Sequence, residues 1–265
     1  VATGEFVDLT EGNKEDVPPL ALGSSNDYNF SSDGSEVAYA LNPEFTKATS
    51  TNIEIHLASL TSPKTPKIIS TSKGVDCQPV YSPDGNWIVW TSMKRAGFEA
   101  DKKDLILYNR KTGEMENLTV DFEKSVDEIL WSPDSKVIYF IAGNEIYNSI
   151  YKLDVVEEEI EIFHKDNYNT GIQISKDGKT LYFLKQRTDL PAEIFSQSTD
   201  GKNTLKRVTF TNEEILSQLE MNPVETFWCE GANGDKVQSI IVKPPFFDPN
   251  KKYPMMFLIH GGPQG

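Results

Sequence analysis

Two short stretches carry residue types able to do chemistry. The first is HGGP (residues 260–263), directly behind the apolar run MMFLI (residues 255–259). The run reads as a buried strand, and Gly261 and Gly262 permit close backbone approach or a positive φ. Such a turn is a common opening to a site. The second stretch is MKRAGFEAD (residues 93–101), where Arg95, Glu99 and Asp101 place a guanidinium and two carboxylates on one loop. A guanidinium holds carboxylate or carbonyl oxygens, and carboxylates hold ammonium groups. The structural alternative is a solvated charged loop, continued by KKD (residues 102–104).

Composition limits the partners. A net charge of -14 over 265 residues argues against a phosphate backbone as ligand and suits a cationic one. Lys251 and Lys252 form only a local basic pair. At 38% hydrophobic and 25% charged residues the chain reads as folded and soluble, with no apolar run near the roughly 20 residues that cross a bilayer. His56, His164 and His260 are scattered, so no dedicated metal cluster is expected. Cys77 and Cys229 are expected to be two separately buried thiols.

The elements that must position these stretches repeat. FSSDGSEVAY (residues 30–39), YSPDGNWIVW (81–90), WSPDSKVIYF (131–140) and ISKDGKTLYF (174–183) place Asp33, Asp84, Asp134 and Asp177 at successive spacings of 51, 50 and 43 residues. Periods of that size belong to propeller blades. Asp accepts backbone hydrogen bonds in a tight turn and Gly supplies the left-handed conformation. Ser135 replaces that Gly in the third copy, which predicts a different or more strained turn. IEIHL, LILY, IYKL and AEIF supply a second strand per unit, followed by the short runs KII, ENL, EIF and KRV. Trp87, Trp90 and Trp131 read as core, and the run Glu157, Glu158, Glu159 as a solvated turn. A solenoid of short strands is the lesser alternative.

Residues 1–10 read as the tail of a further blade, so the chain is expected to be part of a larger polypeptide. The period fails near Asn222. ETFWCE and VQSIIV form an expected hairpin, PPFFDP interrupts it, and the 255–259 strand follows. Trp228 is expected to pack at the junction. The expected organisation is part of a β-propeller over 1–221 and the start of a second domain over 222–265.

The order of these features resembles the prolyl oligopeptidase family of serine peptidases, nearest its dipeptidyl-peptidase 5 and acylaminoacyl-peptidase branch. KKYPMMFLIHGGP (residues 251–263) and MKRAGFEAD carry that resemblance, besides the SPDG turns. It implies four full blades and the tail of another, followed by the first strands of an α/β-hydrolase domain. It also implies that the Gly261 N–H donates to an oxyanion, with His260 shaping the turn rather than acting as base. Glu99, then Arg95 and Asp101, would recognise a peptide end. The sequence G-x-S-x-G does not occur, so no triad member is assigned and the segment alone is expected to be inactive. The implied activity is release of dipeptides from oligopeptide N-termini. Acylaminoacyl release and a noncatalytic peptide- or protein-binding propeller are the alternatives. No cofactor is implied. The expected partners are an oligopeptide, the remaining parts of the parent chain and a second copy of the protein, with nucleic acid and transmembrane contact not expected. The branch resemblance points to a periplasmic or secreted location.

Overall fold

Each repeat folds around the same serine. Ser31, Ser82, Ser132 and Ser175 each donate their hydroxyl to the Asp two residues on, at 2.6–2.7 Å. The same hydroxyl oxygens accept the backbone N–H five residues on, at 2.9–3.0 Å. A one-turn backbone bond closes each copy, from residues 34, 85, 135 and 178 back to the serine carbonyl. Ser135 adopts φ 60 in the same turn as its glycine counterparts, so the geometry is kept. A non-glycine residue pays roughly 1–2 kcal/mol for that conformation, and the Ser135 hydroxyl is put to use by accepting the Asp84 N–H at 3.0 Å.

The computed structural model describes residues 4, 8–19, 27–46, 49–61, 65–202 and 204–259. Each of the four turns joins the first and second strands of a four-stranded unit; the first and second units are separate sheets, and the third and fourth merge into one eight-stranded sheet. The first holds β1 (Tyr28–Phe30), β2 (Glu36–Leu41), β3 (Glu54–Ser59) and β4 (Lys67–Ile68). The second holds β5 (Asp76–Tyr81), β6 (Trp87–Met93), β7 (Lys103–Asn109) and β8 (Met115–Asn117). The third holds β9 (Val126–Trp131), β10 (Val137–Asn144), β11 (Tyr147–Asp154) and β12 (Ile160–His164). The fourth holds β13 (Tyr168–Ile174), β14 (Thr180–Arg187), β15 (Leu190–Ser198) and β16 (Lys206–Arg207). The third and fourth are joined through the parallel pair Asn148↔Tyr168. A matching parallel bridge, Ile53↔Val75, ties the first sheet to the second. The second is tied to the third by Lys103 N–H on Ser125 Oγ at 3.2 Å. The expected tail in residues 1–10 lies largely outside the described residues.

By contacts the chain forms two units, Val1–Phe140 with Leu153–Ile160, and Ile141–Lys152 with Glu161–Gly265. The core of the first unit runs through its first two sheets, from Ala38, Ile53 and Ile55 to Ile88, Trp90 and Tyr108. Trp90 and Trp131 are buried as the sequence indicates, whereas Trp87, at the start of its strand beside the turn, is only half-buried. The first strand of the second sheet bulges at Gln78 (φ 57), where its register shifts between Cys77 and Val80. Side chains at β1 meet the displaced backbone: Asp27 accepts the Gln78 N–H and Asn29 the Tyr81 N–H, each at 3.0 Å. A bulge thus remains fully paired while it bends the strand.

The second unit buries a polar group where the alternation of β14 promises an apolar one. His164, Lys185 and Gln197 are all under 9% exposed. Lys185 Nζ lies 3.1 Å from His164 Nε2, while His164 Nδ1 faces Gln197 Oε1 at 3.0 Å. This fits a neutral imidazole that donates from Nδ1 and accepts at Nε2. Burial pulls the His164 pKa down to about 4 and the Lys185 ammonium adds to the shift. The imidazole lies tilted against the Phe183 ring, with ring centres 5.0 Å apart.

Beyond a short helix, α1 (Glu213–Leu216), a hairpin of β17 (Glu225–Glu230) and β18 (Lys236–Ile241) appears where the sequence places one. Every residue of β17 is exposed, which corrects two expectations. Cys229 is exposed while Cys77 is buried, and Trp228 is 54% exposed instead of packed at a junction. The run 255–259 forms no strand among the described residues, and its side chains are 75–84% exposed. An apolar run makes a strand only where a neighbour supplies the ladder, and none of the described residues does so here.

The His164 cluster gives an acid-sensitivity test. The folded state keeps this imidazole neutral, whereas the unfolded chain takes up a proton as pH falls through 6.5. Stability should therefore be lost between 6.5 and about 4, by on the order of 3 kcal/mol from this group. Urea unfolding across that window should show a shallower pH slope in His164→Gln than in the parent.

Candidate functional site

The charged loop of residues 94–102 connects β6 to β7 and is shaped by its own acid. Asp101 Oδ2 accepts the N–H groups of Lys94 and Arg95 at 3.0 and 2.7 Å, closing the neck of the loop. Within it, Phe98 N–H bonds to the Arg95 carbonyl and Asp101 N–H to the Phe98 carbonyl. Gly97 stands at φ 73, a conformation that favours glycine, and its N–H donates to Thr51 Oγ1, on the β2–β3 connection, at 2.8 Å. The Arg95 guanidinium lies over the Phe98 ring, 4.2 Å from its centre. Arg95 and Glu99 are exposed. The structure thus brings Arg95, Glu99 and Asp101 onto one tethered loop and gives Asp101 a loop-closing contact that spacing alone does not reveal. His260 and Gly261 lie outside the described residues.

Close to this loop in the fold is a cavity of about 480 Å³, lined by Asp76, Trp90, Ser92, Lys94, Asp104 and Ile106 among others. Strand register explains the grouping. Asp76, Ser92 and Asp104 sit side by side across β5, β6 and β7, with Trp90, Ile106 and Asn117 in the adjoining row across β6, β7 and β8. Asp104 is engaged by Lys102 at 2.6 Å and by the Thr119 hydroxyl at 3.1 Å. Asp76 is 1% exposed, and burial pushes its carboxyl up to about 6 against the opposing pull of Ser92, Trp90 and Ser70. Sequence reading passed over Asp76 because it stands outside the repeated turn. Among the described residues, no group of three or more His, Cys, Asp or Glu is placed to hold a metal.

The fold with these turns has relatives. Residues 28–217 match the TolB β-propeller domain family (PD40), and the chain belongs to that family. It is similar to dipeptidyl-peptidase 5 of Porphyromonas gingivalis, at 32% identity over 267 residues, covering 100% of this chain and 38% of that protein. It is also similar to a probable dipeptidyl-peptidase 5 of Trichophyton verrucosum, at 29% identity, covering 94% of this chain and 36% of that protein. The chain therefore spans a little over a third of the length of these relatives. Among solved structures it is similar to the acylaminoacyl peptidase of Pyrococcus horikoshii, with a TM-score of 0.63 at 16% identity over 80% of this chain and 32% of the other. TolB of Acinetobacter baumannii gives a TM-score of 0.52 at 19% identity over 83% and 53%. At such identities the structural likeness speaks for the fold alone.

The loop geometry predicts its own failure. Asp101→Ala removes the acceptor that closes the neck, so amide exchange at Lys94 and Arg95 should accelerate. Trypsin should then cut after these residues faster than in the parent, with the far-ultraviolet dichroism unchanged. Equal exchange rates would show that the turn bonds alone hold the loop.

Proposed function

We propose that this chain is the propeller (residues 1–221) and domain-junction segment (residues 222–265) of a serine exopeptidase that releases dipeptides from the N-termini of oligopeptides. The observation that supports it most is the order of parts in one chain: PD40 blades, the β17–β18 hairpin, then HGGP, with similarity to dipeptidyl-peptidase 5 along all of it. In this reading residues 222–265 begin an α/β-hydrolase domain, and the exposed apolar side chains of residues 255–259 are covered by the rest of that domain.

The Gly261 N–H donates to the oxyanion of the tetrahedral intermediate, and His260 shapes the turn that presents it. Glu99 receives the terminal ammonium of the substrate, Arg95 steadies the carbonyl or carboxylate side of the peptide, and Asp101 holds the loop that carries both. A free N-terminus separates this activity from acylaminoacyl release, where the same end is blocked and uncharged.

In the complete protein, Gly261→Pro should lower kcat by about 10²–10³, the loss of one oxyanion donor, with thermal unfolding checked alongside. Near-normal turnover in a folded variant would remove that donor. Glu99→Gln should cut kcat/KM on free-ended dipeptide-releasing substrates by about tenfold or more, the scale of one charge-assisted contact, while N-acylated peptides are affected less. An unchanged preference would take Glu99 out of recognition. A parent protein that cleaves only N-acylated peptides would favour acylaminoacyl release, and one that cleaves neither would leave the binding propeller.

A further inference from the structure

The cavity on the second sheet has an unused anchor. Asp76 Oδ1 accepts the Trp90 indole N–H at 3.2 Å, yet Oδ2 is buried with no well-formed hydrogen bond among the described residues, the Ser92 and Ser70 hydroxyls lying near enough only to lower the carboxyl pKa. A buried carboxylate oxygen left open costs free energy, and in a native protein it calls for an occupant such as water or an ion. The space beside it is large enough for several heavy atoms, and its walls are mixed. Asp76 and Ser92 form a polar end, while Trp90, Ile106 and Met115 provide apolar surface.

Charge decides the sign of that occupant. Two nearby lysines are already engaged, Lys73 with Glu54 at 3.4 Å and Lys102 with Asp104 at 2.6 Å. Lys102 also donates to the carbonyls of Thr119 and Phe122. Glu116 adds a further acid to the lining and Lys94 a further base. The lining thus carries three carboxylates, Asp76, Asp104 and Glu116, against two lysines, Lys73 and Lys94, and its formal charge is negative by one. An anion would meet that excess of acids, and among the described residues no group of three or more His, Cys, Asp or Glu is placed to hold a metal. A cation that brings its own N–H donors and an apolar tail matches both ends of the cavity.

We propose that this cavity binds a small alkylammonium group, with Asp76 as its anionic anchor and Trp90, Ile106 and Met115 along its hydrocarbon. The site adjoins the neck of the 94–102 loop through Lys94, but Arg95, Glu99 and Asp101 do not line it, and it does not depend on the peptidase reading. Binding favours the ionised carboxylate, so it weakens as pH falls through the Asp76 pKa. The other ionisable groups around it are Glu54 and His56 on β3, Lys73 on the connection to β5, Lys94 and Lys102 on the loop, Asp104 on β7 and Glu116 on β8.

The Trp90 indole N–H reports directly, because it donates to Asp76. In the complete protein its proton resonance, assigned through Trp90→Phe, is followed during titration with n-butylammonium or, as the uncharged control, n-butanol. A saturable shift is expected with the amine and not with the alcohol at about pH 8. At about pH 5 the affinity should fall about tenfold, the fraction by which a carboxyl of pKa about 6 loses its charge. Asp76→Asn should weaken amine binding by about tenfold or more with the dichroism spectrum retained. If that variant does not fold, the parent's amine-against-alcohol and pH comparisons decide alone. An equal response to butanol, no saturable response to the amine, or amine binding indifferent to pH would overturn the site.

Discussion

The structure depends on a serine hydroxyl that serves two backbone purposes at once. In Ser31, Ser82, Ser132 and Ser175 it accepts the N–H of the residue that opens the next strand and donates to the acid inside the turn. That double bond-making fixes where the second strand begins relative to the first. Because side chains alternate at every residue, a slip of one position would turn each apolar row to the wrong face. The acids pay a visible electrostatic tribute to this arrangement: hydrogen bonds hold Asp33 down at about 2, with Asp134 and Asp177 also lowered.

Register then propagates from turn to sheet to neighbour. Ile53 and Asn148 each pair in parallel with the start of the following sheet, and Lys103 makes the corresponding bond through a serine hydroxyl. These ties fall on the same end of the third strand in each repeat. They leave the connections between second and third strands free to vary in length, as between the short β10–β11 turn, the nine-residue loop of 94–102 and the twelve-residue β2–β3 connection. A rigid repeat with variable connections is the arrangement on which binding groups are commonly carried.

The same constraint produces the polar interior. Asp76, Ser92 and Asp104 are neighbours because the β5–β6 and β6–β7 ladders align them. Lys185 reaches His164 from a strand 21 residues away, and burial holds that imidazole neutral near physiological pH. Each group sits in the wall between strands instead of in a turn, where the repeat itself would have advertised it.

The sequence by itself determined the turns, the strand order and the repeat, because these rest on contacts within a few residues and on alternation along the chain. Asp-Gly turns, the β17–β18 hairpin and the burial of Trp90 and Trp131 were legible for that reason, and so was the placement of Arg95, Glu99 and Asp101 on one loop. Only the tertiary structure decided what faces what. It turned Asp101 onto the backbone of Lys94 and Arg95, left Cys229 and Trp228 exposed, kept the Ser135 turn in its glycine-like form and placed the open oxygen of Asp76 beside a cavity. Those outcomes depend on strand register and on packing between segments tens of residues apart, and local spacing carries neither.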